Sequence, residues 1–211
     1  MNPREPGDKH PLVPMNLDGS KPNAGSRGIL TIDFASSFDF EINQISNKDE
    51  VYYAQAQRYL NSLEQTQNYV QVTDLRGTSA GWTLKIQQVA QFQATKSTNN
   101  SMLNGALISL RAPILVTSGD AVPPTASEVL NLIPGQESII GYASQGTGAG
   151  TWVIRWGDIK DFVEKDVVVQ GRKVKMKFSP NVQLHVPGAT KKDPVNYRTT
   201  LKWILSDLPK N

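Results

Sequence analysis

The chain contains no cysteine and only two histidines, His10 and His185, among its 211 residues. The first absence removes disulfides, thiolate zinc sites and cysteine nucleophiles together, and it fits an exported bacterial protein. The second leaves a histidine-based metal site or triad almost without parts. No stretch reaches the roughly 18 unbroken apolar residues of a spanning helix. The opening residues also lack the basic start and apolar core of a signal peptide, so if the protein is exported its leader has already been removed. With 38% hydrophobic and 19% charged residues, the chain is neither a highly charged disordered tail nor a membrane bundle. Its length suits one sizeable domain or two small ones.

Charge is small in total but unevenly placed. From Arg155 onward there are 12 Lys/Arg against 6 Asp/Glu, and before it 10 against 13, giving +6 and −3 for a net +3. That asymmetry is read either as a basic surface facing something acidic or as a solvated strand face.

Residues 1–28 are rich in Pro, Gly, Asn and Ser and show no apolar periodicity, so a flexible tail is expected there, with His10 an ordinary linker residue. From Ile29 the pattern turns to period two. Leu30, Ile32 and Phe34 alternate with Thr31 and Asp33, and Phe38, Phe40 and Ile42 with Asp39 and Glu41. Further strands are expected over 69–73, 81–93, 106–110, 114–117, 138–143, 151–155, 167–170, 173–178, 182–186 and 197–205. The pair flanking Gln170-Gly171-Arg172 reads as a hairpin. Helix signals are few. Thr125-Ala126-Ser127-Glu128 has the form of a capping box and predicts one short helix over Ala126–Leu132. Residues 49–68 read as a strand followed by a loop or short helix.

Several familiar chemical motifs fail on context. Gly77-Thr78-Ser79-Ala80-Gly81 spells the G-x-S-x-G of a nucleophile elbow, which needs a strand entering and a helix leaving. Here Trp82-Thr83-Leu84-Lys85-Ile86 leaves as an alternating strand, and His185 would have to serve as base. Gly146-Thr147-Gly148-Ala149-Gly150 resembles a phosphate-cradling loop, but Thr151-Trp152-Val153-Ile154 after it is again a strand, so a hairpin loop is expected. Asp158, Asp161, Glu164 and Asp166 have no spacing that selects an acid/base pair. Lys173, Lys175 and Lys177 share a strand face with no aromatic for base stacking, which argues against nucleic acid. Val174, Met176 and Phe178 across the pleat are expected in the core.

Two tryptophans occupy matching frames. Gly81-Trp82-Thr83-Leu84 lies mid-chain. Near the end, Tyr197-x-x-x-Leu201-x-Trp203-x-Leu205-x-x-x-Pro209 forms a longer pattern. Together they resemble the proximal and distal motifs of the WxL domain family of Gram-positive cell-surface proteins. Leu30-Thr31-Ile32-Asp33-Phe34, the run from Val70 through Arg76-Gly77-Thr78 to Leu84, and Gly150-Thr151-Trp152 are similar to that family as well. The likeness extends over about residues 29–209, with Tyr59–Gln67 resembling an insertion and Arg155-Trp156-Gly157 somewhat divergent. The resemblance implies a secreted, non-enzymatic module of the cell surface, held noncovalently to the wall through peptidoglycan. It also implies a membrane-anchored, immunoglobulin-like partner protein and, in some members, contact with host matrix proteins. No cofactor and no metal are expected.

Residues i and i+2 of a strand share a face. Trp82, Leu84 and Ile86 therefore line one side, and Tyr197, Leu201, Trp203 and Leu205 another. Each motif puts a large ring and a branched aliphatic in one layer, which suits core packing; a buried indole N–H would then need an acceptor such as a backbone carbonyl. The other reading is a half-exposed indole stacked on a sugar ring, and Trp152 and Trp156 join the candidates for that role. Arg172, Lys173, Lys175 and Lys177 are candidate contacts for anionic wall polymers, through an attraction that salt would screen. The expectation is one all-β domain over 29–211, an antiparallel, immunoglobulin-like sandwich with one short helix and a flexible N-terminal tail. A protein-binding module, or an adhesin for a partner or host matrix protein, is the alternative function; a polysaccharide hydrolase ranks third.

Overall fold

The computed structural model describes residues 12–16, 19–22, 25–169 and 171–209. The first strands are β1 (Leu30–Ala35), β2 (Glu50–Gln55), β3 (Gln57–Arg58), β4 (Gln65–Thr66), β5 (Tyr69–Asp74) and β6 (Trp82–Gln88). There follow β7 (Gln93–Ala94), β8 (Leu107–Arg111), β9 (Pro113–Val116), β10 (Thr125–Ala126), β11 (Val129–Leu132) and β12 (Glu137–Ala143). The last are β13 (Gly150–Trp156), β14 (Val163–Val169), β15 (Arg172–Val186), β16 (Tyr197–Arg198) and β17 (Leu201–Ser206). Every pairing among them is antiparallel.

Three principal sheets share one interior. Their strand orders are β1-β5-β13-β9, β10-β12-β6-β17, and β11-β8-β15-β14 with β2 also on β15. The core draws Val70, Val72 and Ile154 from the first, Leu84, Ile86 and Ile140 from the second, and Ile108, Leu110 and Val182 from the third. The packed, sandwich-like all-β architecture agrees with the period-two reading. The Gln170 hairpin is present as β14 and β15, paired from Val163↔Phe178 to Val169↔Arg172. The runs 173–178 and 182–186 merge into the single 15-residue β15, which carries Pro180. Val174, expected in the core, is 43% exposed, whereas Met176 and Phe178 are buried.

The expected helix over Ala126–Leu132 is absent. Thr125 and Ala126 pair with Tyr142 and Gly141, and Val129–Leu132 pair with Arg111–Ile108. The Ser127 hydroxyl donates across to the Ile139 carbonyl, 2.7 Å away. A seven-residue helix barely outgrows its nucleation cost, and two sheet edges offer this segment ladder bonds in its place. The 3-10 turn Ile159–Asp161 is the one helical segment among the described residues, capped reciprocally by Asp158 and Asp161.

Two other expectations need correction. After Ala35 the chain leaves the sheet, so Phe38, Phe40 and Ile42 form no strand. Glu41 takes a left-handed φ of 64°, which breaks the alternation and leaves Ile42 in solvent. Within the expected flexible tail, residues 12–16 lie against the body. Pro14 bridges to Tyr59, the Met15 N–H donates to the Arg58 carbonyl, and Leu12 is buried. Leu12, Phe34, Tyr59, Tyr69 and Val153 make a second, smaller apolar cluster. His10 lies outside the described residues. The stretch 49–68 is β2 followed by the β3–β4 ribbon, with no helix.

Candidate functional site

The two tryptophan motifs are neighbours. β17 runs antiparallel to β6, with Trp203 opposite Ile86 and Leu205 opposite Leu84. Trp82, Leu84 and Ile86 are fully buried, while Leu201, Trp203 and Leu205 are half-buried and pack on the same core. Trp203 lies 6.3 Å from Trp156 between ring centroids, and Phe38 meets the other indole edge-on at 5.8 Å. Trp152 and Trp156, considered for sugar stacking, are 3% and 1% exposed. Neither offers a ring face to a ligand, and of the four indoles only Trp203 keeps part of its surface in solvent.

The glycine loop between β12 and β13 seats two of these indoles. The Trp82 N–H donates to the Gly148 carbonyl at 3.0 Å, and the Trp152 N–H to Ala149 at 2.9 Å. Gly148 has φ 71°, and a Cβ there would collide with Ala143 Cβ and crowd the Trp82 nitrogen. The glycines therefore admit backbone close to an indole, where a phosphate loop would admit backbone close to a ligand. Gly81, at φ 87°, plays a matching part at the same end, because its missing side chain leaves room for the Ala143 carbonyl and Pro209. The Thr83 hydroxyl donates to the Leu208 carbonyl at 2.8 Å and so ties down the end of the distal motif.

Tyr197 works as a strut. Its hydroxyl donates to the Asn100 carbonyl at 2.6 Å and accepts from the Asp193 N–H at 2.9 Å. Asp193 in turn accepts from the Thr98 hydroxyl and from the backbone and side-chain nitrogens of Asn100, bonds that hold its carboxyl below the usual carboxylate range. Before the proximal motif, Arg76 makes a bidentate pair with Asp74, at 3.0 and 2.8 Å, and donates to the Gly81 carbonyl at 2.6 Å. The Arg76 guanidinium holds the Asp74 carboxyl low as well. Composition gave no hint of this brace; the signal was Asp74-x-Arg76 directly ahead of a glycine turn. In that turn Ser79 lies between β5 and β6, so the G-x-S-x-G segment lacks the helix that an elbow has on its exit.

The lysine stripe is a mixed-charge ladder. Lys177 and Lys175 stand opposite Glu164 and Asp166 on β14, and Lys173 opposite Val168. Lys173 and Lys175 are exposed, and Lys177 lies 5.5 Å from the centroid of the Phe162 ring. Arg172 begins the strand opposite Val169.

One feature of the surface escaped the sequence reading. The loop after Glu41 and the loop after Val186 enclose an open, largely polar groove of about 720 Å³. Its walls include Gln44, Asn47, Lys48, Glu50, Tyr52 and Lys192. The Gly188 N–H donates to Asp49 at 2.8 Å, and a Cβ on Gly188 would collide with the Asn47 carbonyl, so the loops meet backbone to backbone. Burial, with Glu50 nearby, pushes the Tyr52 phenol up and keeps it a neutral donor. Asn43-Gln44-Ile45-Ser46-Asn47-Lys48 was the available signal, a run of amides where alternation stops.

Among the described residues, no group of three or more His, Asp or Glu side chains is placed to hold a metal, and no helix is long and apolar enough to cross a membrane. Buried indoles pin the sheets together, and loops build a polar groove on an all-β body. The chain belongs to the WxL family, described as a surface cell wall-binding domain, whose family model matches residues 1–209. No curated protein and no solved structure matches it.

Proposed function

We propose that this chain is a secreted, non-catalytic anchor that holds noncovalently to the Gram-positive cell wall by binding peptidoglycan. The observation that carries the reading is the match of nearly the whole chain to a cell wall-binding surface family. Several carboxylates are already committed to holding the fold together, which takes these out of acid/base work. Asp158 and Asp161 cap a turn, Asp74 pairs with Arg76, and Asp193 holds the Tyr197 strut. Each already accepts hydrogen bonds that maintain the fold.

In this reading the motif residues Trp82, Leu84, Tyr197, Leu201, Trp203, Leu205 and Pro209 keep the block rigid, and the wall is contacted elsewhere. The β14–β15 ladder adds only a diffuse attraction, since acids stand beside its lysines. Co-sedimentation with purified, protein-stripped sacculi tests the proposal. The protein should pellet with the sacculi while their turbidity stays constant. Protein left in the supernatant would defeat wall binding, and steady clearing would revive the hydrolase. Retention that needs an added surface protein would favour the protein-binding alternative.

A further inference from the structure

We infer that the groove between the 43–48 and 187–192 loops binds a carboxylate-bearing N-acetylated amino sugar of the wall glycan; this rests on the wall-binding reading above. The groove is held in shape before any ligand arrives. Besides the Gly188–Asp49 bond, the Thr190 hydroxyl donates to the Asn104 carbonyl at 2.6 Å, and the Asn43 amide to the Phe40 carbonyl at 2.6 Å. Its polar walls nevertheless keep unused capacity. The side-chain amides of Gln44 and Asn47 and the Tyr52 hydroxyl make no hydrogen bond among the described residues. Side-chain amides present a donor and an acceptor together, which matches the paired N–H and C=O of an acetamido group and the hydroxyls of a sugar ring.

Charge and shape narrow the ligand further. Lys48 and Lys192 stand beside Glu50 and Asp49, and the Asp49 carboxylate is already taken up by the Gly188 N–H, so the two ammonium groups can still serve as partners for a carboxylate on the sugar. The half-buried Tyr52 ring and the 56%-exposed Ile45 supply apolar surface for a ring face or an acetyl methyl. The volume falls within the roughly 300–1,000 Å³ of small-ligand clefts. An open trough also admits a unit within a long strand, which a closed pocket would not.

The test follows backbone amide signals of the full chain by NMR during titration with the N-acetylglucosaminyl–N-acetylmuramic acid disaccharide. Neutral chitobiose is titrated in parallel. The muramic disaccharide should shift the signals of residues 43–48 and 188–192, and chitobiose should bind at least about fivefold more weakly. The double variant Lys48→Ala/Lys192→Ala should keep its thermal midpoint and lose about fivefold in sacculus affinity. Shifts confined to other residues, equal binding of the two sugars, or wild-type pelleting by the double variant would each overturn the assignment. If the wild type pellets but the groove signals stay still, the groove fails and wall binding stands. If the wild type does not pellet, wall binding fails, while the disaccharide titration still reads the groove directly.

Discussion

At Trp82 the indole does two jobs, filling the interior with its ring and answering the Gly148 carbonyl with its N–H. The substitutions that separate them have different costs. Trp82→Phe keeps most of the ring and gives up the hydrogen bond, at about 1–3 kcal/mol once the orphaned buried carbonyl is counted. Trp82→Ala empties the site and costs about 3–5 kcal/mol. Gly148→Ala should be severe for its size, because φ 71° and the Ala143 contact both oppose a Cβ. Urea unfolding of the three variants checks this order; a Trp82→Ala no worse than Trp82→Phe would mean the ring is not packed. Asp74 makes a separate pH prediction. Its folded pKa is depressed, so its contribution is fully present above the unfolded carboxyl value of about 3.9 and is lost as pH falls through the lower folded value. Asp74→Asn should flatten the fall in unfolding free energy below pH 4 while reducing stability at pH 7. Denaturation at several pH values measures both effects.

At the scale of strands, the proximal and distal motifs were legible because W-x-L is itself a period-two fragment, and a buried face follows from alternation. Their pairing was not legible, since Trp203 and Ile86 are brought together by the sheet and not by local spacing. The misread helix at Ala126–Leu132 shows the same boundary from the other side. Its capping-box letters were correct as local chemistry, but β12 and β8 outcompeted them from outside the window. The lysines of β15 form a stripe in the sequence, and only the β14 register reveals Glu164 and Asp166 beside them. This makes Lys173→Ala/Lys175→Ala/Lys177→Ala a discriminating triple variant. It leaves the groove lysines in place and should change sacculus retention less than about twofold. A larger loss would return the wall contact to this ladder.

Over the whole molecule, the N-terminal segment is the part that composition hid most completely. Proline, glycine and scattered polar residues gave it no period, yet Leu12 is 5% exposed, and its neighbour Pro14 meets Tyr59 across 45 residues of chain. The reason lies in the first sheet, which carries apolar side chains on both faces. Val70, Val72 and Ile154 turn to the shared interior, while Phe34, Tyr69 and Val153 belong to the second cluster. Without the 12–16 segment and the β3–β4 ribbon, that second set would face water. A cover of this kind contributes through burial, so it needs apolar contacts at a few points and no periodicity of its own. Leu12→Ala should therefore cost about 2–5 kcal/mol, as a buried leucine does, despite lying in a stretch that reads as a linker. Deleting residues 1–28 should go further, lowering the thermal midpoint and raising the binding of a dye that reports exposed apolar surface. The groove and the β6–β17 ribbon are built from later residues, so the truncated protein should still pellet with sacculi at temperatures where it stays folded. Unchanged melting after the deletion would show that the cover is not held in solution, and the first sheet would then have to tolerate a wet apolar face.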